Sequence, residues 1–355
     1  MFLALRDLRF AKGRFALTVA AGFLVSLMVV LLSGLTAGLG HESISAVQSI
    51  GADHYAFEDS GQDRPLSFSD SRVTETQHDE LAAQPGVDEV AVVGVAPARV
   101  AVGGYEAAVS AFGVDGTSFA APVPLSPGQV AMNRTFAEDN GVTSGEQVDI
   151  GGHTVTVTAL VDDSSHSHQP VVWLDLGDWQ ALPTAAGSDG TVLALKTSTG
   201  FDAGTAATAS GTSITDESGA FGAIGGYSSE RGSLLLIQAM LVAVGSLVVG
   251  MFFTVWTIQR GQDLAVLKAI GASTGYLIRD ALGQALAVLT LGTALGTAAA
   301  VGLGSLAAQS VPFSLTVAGV ALPFVALIAL GMVGAAAALA RIVTVDPLTA
   351  LSAAR

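Results

Sequence analysis

The sequence predicts a membrane protein with four transmembrane α-helices and one large extracellular α+β domain inserted between helices 1 and 2. Three observations predict it. Half of the 355 residues are hydrophobic and only 13% are charged, against about a quarter in soluble domains, and mean hydropathy is +0.58. Four apolar runs each reach the roughly 20 helical residues that a bilayer core requires. Charge is also segregated. Residues 1–14 and everything after Ile258 hold nine basic and four acidic side chains, a balance of +5. The 41–231 stretch holds six basic and 26 acidic ones, a balance of −20, and the whole chain stands at −15. A soluble globule and a nucleic-acid binder are both excluded.

Residues 1–14 carry Arg6, Arg9, Lys12 and Arg14 and read as a basic, cytoplasmic N-terminal segment. The first span, 15–40, is too long for the apolar region of a signal peptide and shows no clear small-x-small cleavage site, so it reads as retained. The domain occupies 41–231. Spans follow at 232–258, 276–308 and 317–341, separated by a basic loop at 259–275 and a short outer loop at 309–316, with a tail at 342–355. Positive residues stay on the cytoplasmic side. Both termini and the 259–275 loop are therefore expected inside the plasma membrane, and the domain outside.

The chain has no cysteine, so a domain of this size must hold together by its core and not by disulfides. Within it, 76–84 reads as a helix ended by Pro85-Gly86. Segments 88–95, 98–102 and 107–114 read as strands punctuated by Gly and Pro. A short helix at 133–140 closes at Gly141, strands are expected at 147–150, 153–160 and 170–174, and a Gly/Ala/Ser/Thr-rich return runs from 197 to 226. Two lobes are expected. Gly34-x-x-x-Gly38 and Gly292-x-x-x-Gly296 have the spacing that lets helices approach closely, either within the chain or across a dimer seam.

No Gly-x-x-x-x-Gly-Lys-Ser/Thr loop is present, so nucleotide hydrolysis is expected from a separate subunit. His-Glu-x-x-His is absent, as is Gly-x-Ser-x-Gly in a strand-turn-helix context. The chain reads as a transport subunit and not an enzyme. No charge stands in the middle of a span, which argues against a proton-coupled carrier.

All six histidines fall within the domain segment, and Asp162-Asp163-Ser164-Ser165-His166-Ser167-His168 gathers two acids and two imidazoles. Such a run is either a solvated loop or a holder for a metal or metalloporphyrin. Glu42 follows the first span, and Tyr227, Glu230 and Arg231 precede the second. Tyrosine at an interface is an ordinary anchor, yet phenolate, carboxylate and imidazole are also iron ligands. Met28 and Met240 lie in the outer halves of the same spans, as packing residues or as soft ligands.

Gln259-Arg260-Gly261-Gln262-Asp263-Leu264-Ala265-Val266-Leu267-Lys268-Ala269-Ile270-Gly271-Ala272-Ser273 resembles the cytoplasmic signature of FtsX-like, MacB-type ABC permeases. Leu5 to Arg14 is similar to the family's amphipathic helix, and Asp346-Pro347-Leu348-Thr349-Ala350-Leu351 to its C-terminal tail. Asp263 stands where Glu is usual, and Gln284 where Glu is frequent. The resemblance implies a permease homodimer without an intrinsic cofactor. It would be driven by a cytoplasmic ABC ATPase, two copies per complex, which binds the ATP and Mg. The coupling role falls on Arg260, Asp263, Lys268, Ile270 and Gly271, whose short helix can enter an ATPase groove. Gly34-Leu35-x-x-Gly38-Leu39-x-x-Glu42 and His168-Gln169-Pro170-Val171-Val172-Trp173 resemble the haem-exporting, HrtB-type branch. That resemblance implies haem as cargo, with Met28, Glu42, Tyr227, Glu230, His166 and His168 as candidate haem-binding residues and no metal beyond the haem iron. A permease that regulates a cell-wall hydrolase, and an exporter of antimicrobial peptide or lipid, are the alternatives.

Overall fold

A computed structural model describes residues 12–59, 61, 64–102, 104–185, 187–259, 270–308 and 310–343. In chain order the elements are α1 (Lys12–Ile50), β1 (His54–Glu58), α2 (Glu75–Ala82), β2 (Val87–Val102), β3 (Tyr105–Val114), β4 (Gln129–Asn133) and α3 (Arg134–Asp139). Next come β5 (Gln147–Ile150), β6 (His153–Val161), β7 (Ser165–His166), β8 (Gln169–Asp175), α4 (Leu176–Gln180), β9 (Val192–Thr197), α5 (Ala203–Ser210) and β10 (Thr212–Asp216). The chain ends in α6 (Glu217–Gly222), α7 (Tyr227–Gln259), α8 (Thr274–Ala307) and α9 (Val317–Val343). Two compact units result, one of residues 1–38 with 232–355 and the other of residues 39–231.

Among the described residues four helices, α1, α7, α8 and α9, are long and apolar enough to cross a membrane. Their small residues set the packing. At Gly292 a Cβ would press on the Val19 carbonyl of α1, and at Gly296 it would collide with the Phe23 carbonyl. The close approach lets Ser26 Oγ donate to the Thr293 carbonyl at 3.0 Å. Gly250 and Gly334 face each other between α7 and α9. The Gly34-x-x-x-Gly38 face is filled from within the chain: a Cβ on Gly34 would strike the Phe313 ring, and one on Gly38 the Pro312 carbonyl. Ser314 N–H donates to the Gly34 carbonyl at 3.0 Å. The small residues here hold the 312–314 segment, so this face packs within the chain and is not an open dimer seam.

In the second unit α1 runs ten residues beyond the expected span end at 40. The reason lies in Ser43, Ala46, Val47 and Ile50, buried at i, i+3, i+4 and i+7, the spacing that gives a helix one apolar face. Tyr55 Oη donates to the Val47 carbonyl at 2.8 Å. Burial pushes the Tyr55 phenol well above its ordinary range, so it remains a donor. Gly51, at φ +66°, ends the helix in the left-handed conformation.

The sheet runs β10-β1-β9-β2-β3-β8-β4-β6-β5, with β7 paired to β8. Val100 and Ala101 of β2 also pair with Ile150 and Asp149 of β5, which closes β2-β3-β8-β4-β6-β5 into a barrel. The two expected lobes thus share β2. Even-numbered residues of β2 face α2 and α5 near Val90 and Val92, then the barrel core at Ala96 and Val100. Odd-numbered Ala91, Val93 and Val95 face a third core with Ala46, Val47 and Ile50 of α1. Inside the barrel Trp179 lies against Gly94 and Gly113, where any Cβ would collide with it.

Candidate functional site

The 162–168 run does not act as one cluster. Asp163 Oδ1 takes the Thr135 backbone N–H at 3.0 Å and Oδ2 the Thr135 hydroxyl, which fastens the first turn of α3. Ser164 is held by Asn133, whose Nδ2 donates to the Ser164 carbonyl at 2.6 Å. Adjacent strand residues point to opposite sides, so His166 turns inward while the following turn faces α1. Among the described residues no group of three or more His, Cys, Asp or Glu could hold a metal ion.

His166 is therefore corrected as a haem ligand. Its ring is 6% exposed and lies between the edges of Phe68 and Phe112, at centroid distances of 5.5 and 5.4 Å. Nδ1 is 3.5 Å from Ser110 Oγ, and Nε2 has no hydrogen-bond partner. A haem face cannot reach it. Burial pushes its pKa down to about 4, so the ring is neutral near pH 7.

Three of the other candidates meet. Nε2 of His168 lies 2.9 Å from a Glu230 carboxylate oxygen and 3.1 Å from Ser43 Oγ, while Nδ1 lies 3.7 Å from the Glu42 carboxylate. A carboxylate only accepts, so the short contact places a proton on Nε2, directed at Glu230. All three side chains keep more than a third of their surface in solvent, which leaves their outer oxygens open to a ligand.

The backbone holds this arrangement in place. Ser167 and His168 have φ of +51° and +62°, the left-handed pair that a two-residue hairpin turn demands. Ser167 N–H donates to the Ser43 carbonyl at 3.1 Å and His168 N–H to the Glu42 carbonyl at 3.2 Å. Ser165 N–H donates to Ser45 Oγ at 2.8 Å. Sequence reasoning assigned no role of their own to Ser43, Ser45 or Ser167, because nothing in the sequence marks which hydroxyls and carbonyls of the helix the loop will meet.

Tyr227 is buried, and its hydroxyl accepts an N–H of Arg231 at 3.0 Å. An iron would have to displace that contact. Met28 is 55% exposed and belongs to the other unit.

Of the coupling residues, Arg260, Asp263 and Lys268 lie outside the described residues, as do the 1–11 portion of the amphipathic helix and the 344–355 tail. Ile270 is 76% exposed, and Gly271 has φ +101°. Ser273 caps α8 by accepting the Tyr276 N–H at 3.3 Å.

Residues 219–347 match the family model described as the FtsX-like permease C-terminal domain. Over 99% of both chains this sequence is 23% identical to a Staphylococcus haemolyticus protein named as the hemin transport system permease HrtB. It is 28% identical, over 98% of both chains, to an uncharacterized ABC transporter permease of Mycobacterium tuberculosis. Among solved structures, the periplasmic region of MacB from Actinobacillus actinomycetemcomitans covers 48% of this chain and 92% of its own, at 12% identity and a TM-score of 0.36.

Proposed function

We propose, from the premise that this chain is a multi-pass ABC transporter permease of the FtsX type, that it extrudes haem from the membrane, driven by a separate cytoplasmic ATPase. The observation that carries the cargo reading is the meeting of Glu42, His168 and Glu230 at the roots of α1 and α7, the two helices that join the domain to membrane spans. The three are not placed to hold a bare metal ion together, but a single carboxylate or imidazole can serve as a weak axial ligand to an iron already held by a porphyrin. The ligands are weak and already paired with one another, as an exporter requires, because a site that binds too tightly cannot release. Arg231, exposed beside Tyr227, can meet a propionate. The full-length similarity to a permease named for hemin transport supports the same reading.

In this reading haem enters sideways from the outer leaflet. Met28 serves a separate, deeper point on the path. The permease acts as a homodimer with two ATPase subunits docked at 259–275, its domain outside the cell and both termini inside. The ATPase supplies ATP and Mg chemistry, and this chain supplies the mechanical response.

The test is haem titration of the permease with its ATPase in lipid nanodiscs, following the Soret band and ATP hydrolysis together. A saturable Soret shift with altered hydrolysis is expected, weakened about tenfold in a Glu42→Gln/Glu230→Gln variant by loss of two charged ligands. No shift in the wild type overturns the cargo. A shift that survives replacement of Glu42, Tyr227, Glu230 and Met28 together overturns the site.

A further inference from the structure

A turn of two consecutive left-handed residues is ordinarily Asn-Gly or another glycine-containing pair. Here it is Ser167-His168, at φ +51° and +62°. Side chains larger than glycine occupy that region at a cost, and persist there only where the surroundings hold them. What holds them lies outside the hairpin. The N–H groups of Ser167 and His168 go to the Ser43 and Glu42 carbonyls of α1, each of which has a second lone pair beyond the one used in the helix. Ser165 N–H goes to Ser45 Oγ, and the His168 ring lies between Glu42 of α1 and Glu230 of α7. The hairpin continues directly into β8, which pairs with both β3 and β4 and so stands in the interior of the sheet.

We propose that the Ser167-His168 turn is a latch that ties α1 to α7 and hands any separation of the two to strand β8. Among the described residues, the hydrogen bond that joins Glu230 to the hairpin runs through the imidazole. A turn that merely needed α1 beneath it would be indifferent to Glu230, whereas a latch requires both helices to be engaged at once. When α7 draws away, the ring loses its 2.9 Å charged partner and keeps only its contacts to α1, Ser43 Oγ at 3.1 Å and Glu42 at 3.7 Å. The strained backbone then lacks part of what holds it, and the turn leaves the carbonyls of α1. The latch requires no cargo, so its test is separate from that of haem export.

The full-length chain in lipid nanodiscs, without haem or ATPase, is followed by amide hydrogen exchange of the 165–169 segment. Glu230→Gln is expected to raise its exchange about tenfold, the scale of a lost charge-assisted hydrogen bond, while β3 and β9 keep their protection. His168→Asn, a residue that tolerates the left-handed region, is expected to do the same, and adding Glu230→Gln to it is expected to change nothing more. Unchanged exchange at 165–169 in Glu230→Gln overturns the latch, as does a Glu230→Gln effect that persists undiminished in the His168→Asn background. Should His168→Asn lose the protection of β3 and β9 as well, Glu42→Gln decides, since a latch predicts faster exchange at 165–169 from either carboxylate.

Discussion

Lowering the pH from 7.5 to 4.5 should weaken the folded α+β domain by roughly 2–3 kcal/mol through His166 alone. Burial lowers this imidazole from 6.5 to about 4 in the folded chain, and in the unfolded chain it returns to the ordinary value. Between those two values the unfolded state binds a proton that the folded state refuses, so stability falls with pH across that window. Above 6.5 both states are neutral and nothing is lost. The loss grows from about 1 kcal/mol near pH 5.5 to about 3 kcal/mol below pH 4, where it levels. The carboxylates act elsewhere on the scale. Backbone N–H groups of Thr117, Thr205 and Gly219 hold Asp115, Asp202 and Asp216 below 3.8. Their stabilisation is present above 3.8 and lost only as pH falls through their lower folded values.

The assay is urea unfolding of the full chain in nanodiscs, in a Trp256→Phe background, so that emission comes from Trp173 and Trp179. Both indoles are 1% exposed, and Trp173 lies 5.0 Å from Phe112, the ring that also flanks His166. His166→Leu removes the titration and the unpartnered Nε2. Its stability should stay level between pH 7.5 and 4.5, apart from changes shared with the wild type. Equal acid sensitivity in the two proteins refutes the reasoning.

Gly38→Ala should destabilise the membrane unit by about 1–3 kcal/mol, because its Cβ meets the Pro312 backbone and not a movable side chain, while Gly40→Ala, with open space, should be neutral. Thermal melts in nanodiscs compare them, and equal melting would mean that Pro312 is not packed on α1. Gly113→Ala should cost a similar amount by driving a methyl into Trp179, read as a red shift of indole emission with loss of stability; a silent variant contradicts the barrel packing. Ile270→Asp should abolish coupling to the ATPase while leaving the domain's melting unchanged, since Ile270 is 76% exposed. Retained cargo-dependent hydrolysis would remove Ile270 from the docking surface.

Legibility in the sequence followed how each segment is solvated. The four membrane helices could be read because lipid demands uninterrupted apolar runs. Strand β6 could be read because it alternates, whereas β9, with Val192–Leu195 buried throughout, lacks the period that marks a strand. Strand β10 and helix α5 were hidden in a Gly/Ala/Ser/Thr-rich stretch where small residues carry little pattern. Pro97 divides β2 in the sequence, yet the strand is continuous for 16 residues. Its pairing with β9 ends at Val93 and its pairing with β5 begins at Val100. On that side Val95 N–H donates to Thr191 Oγ1 and Gly151 N–H to the Arg99 carbonyl, so Pro97 falls between the two ladders, where a missing N–H costs little.

The candidate site divides along the same line. Glu42, His168 and Glu230 could each be named from residue type and from position beside a span, but their meeting depends on a hairpin whose turn gives no sequence signal. Ser-His in the left-handed region is a choice that local propensity disfavours, and local rules fail mainly where a fold imposes a conformation for another purpose. The same seven-residue run shows the contrast. Asp163 obeys its propensity by fastening a helix start, and His166 submits to burial at the expense of its charge. Only Ser167-His168 departs from what its residues prefer, and it does so where the His168 side chain meets carboxylates of both α1 and α7 at the start of a central strand.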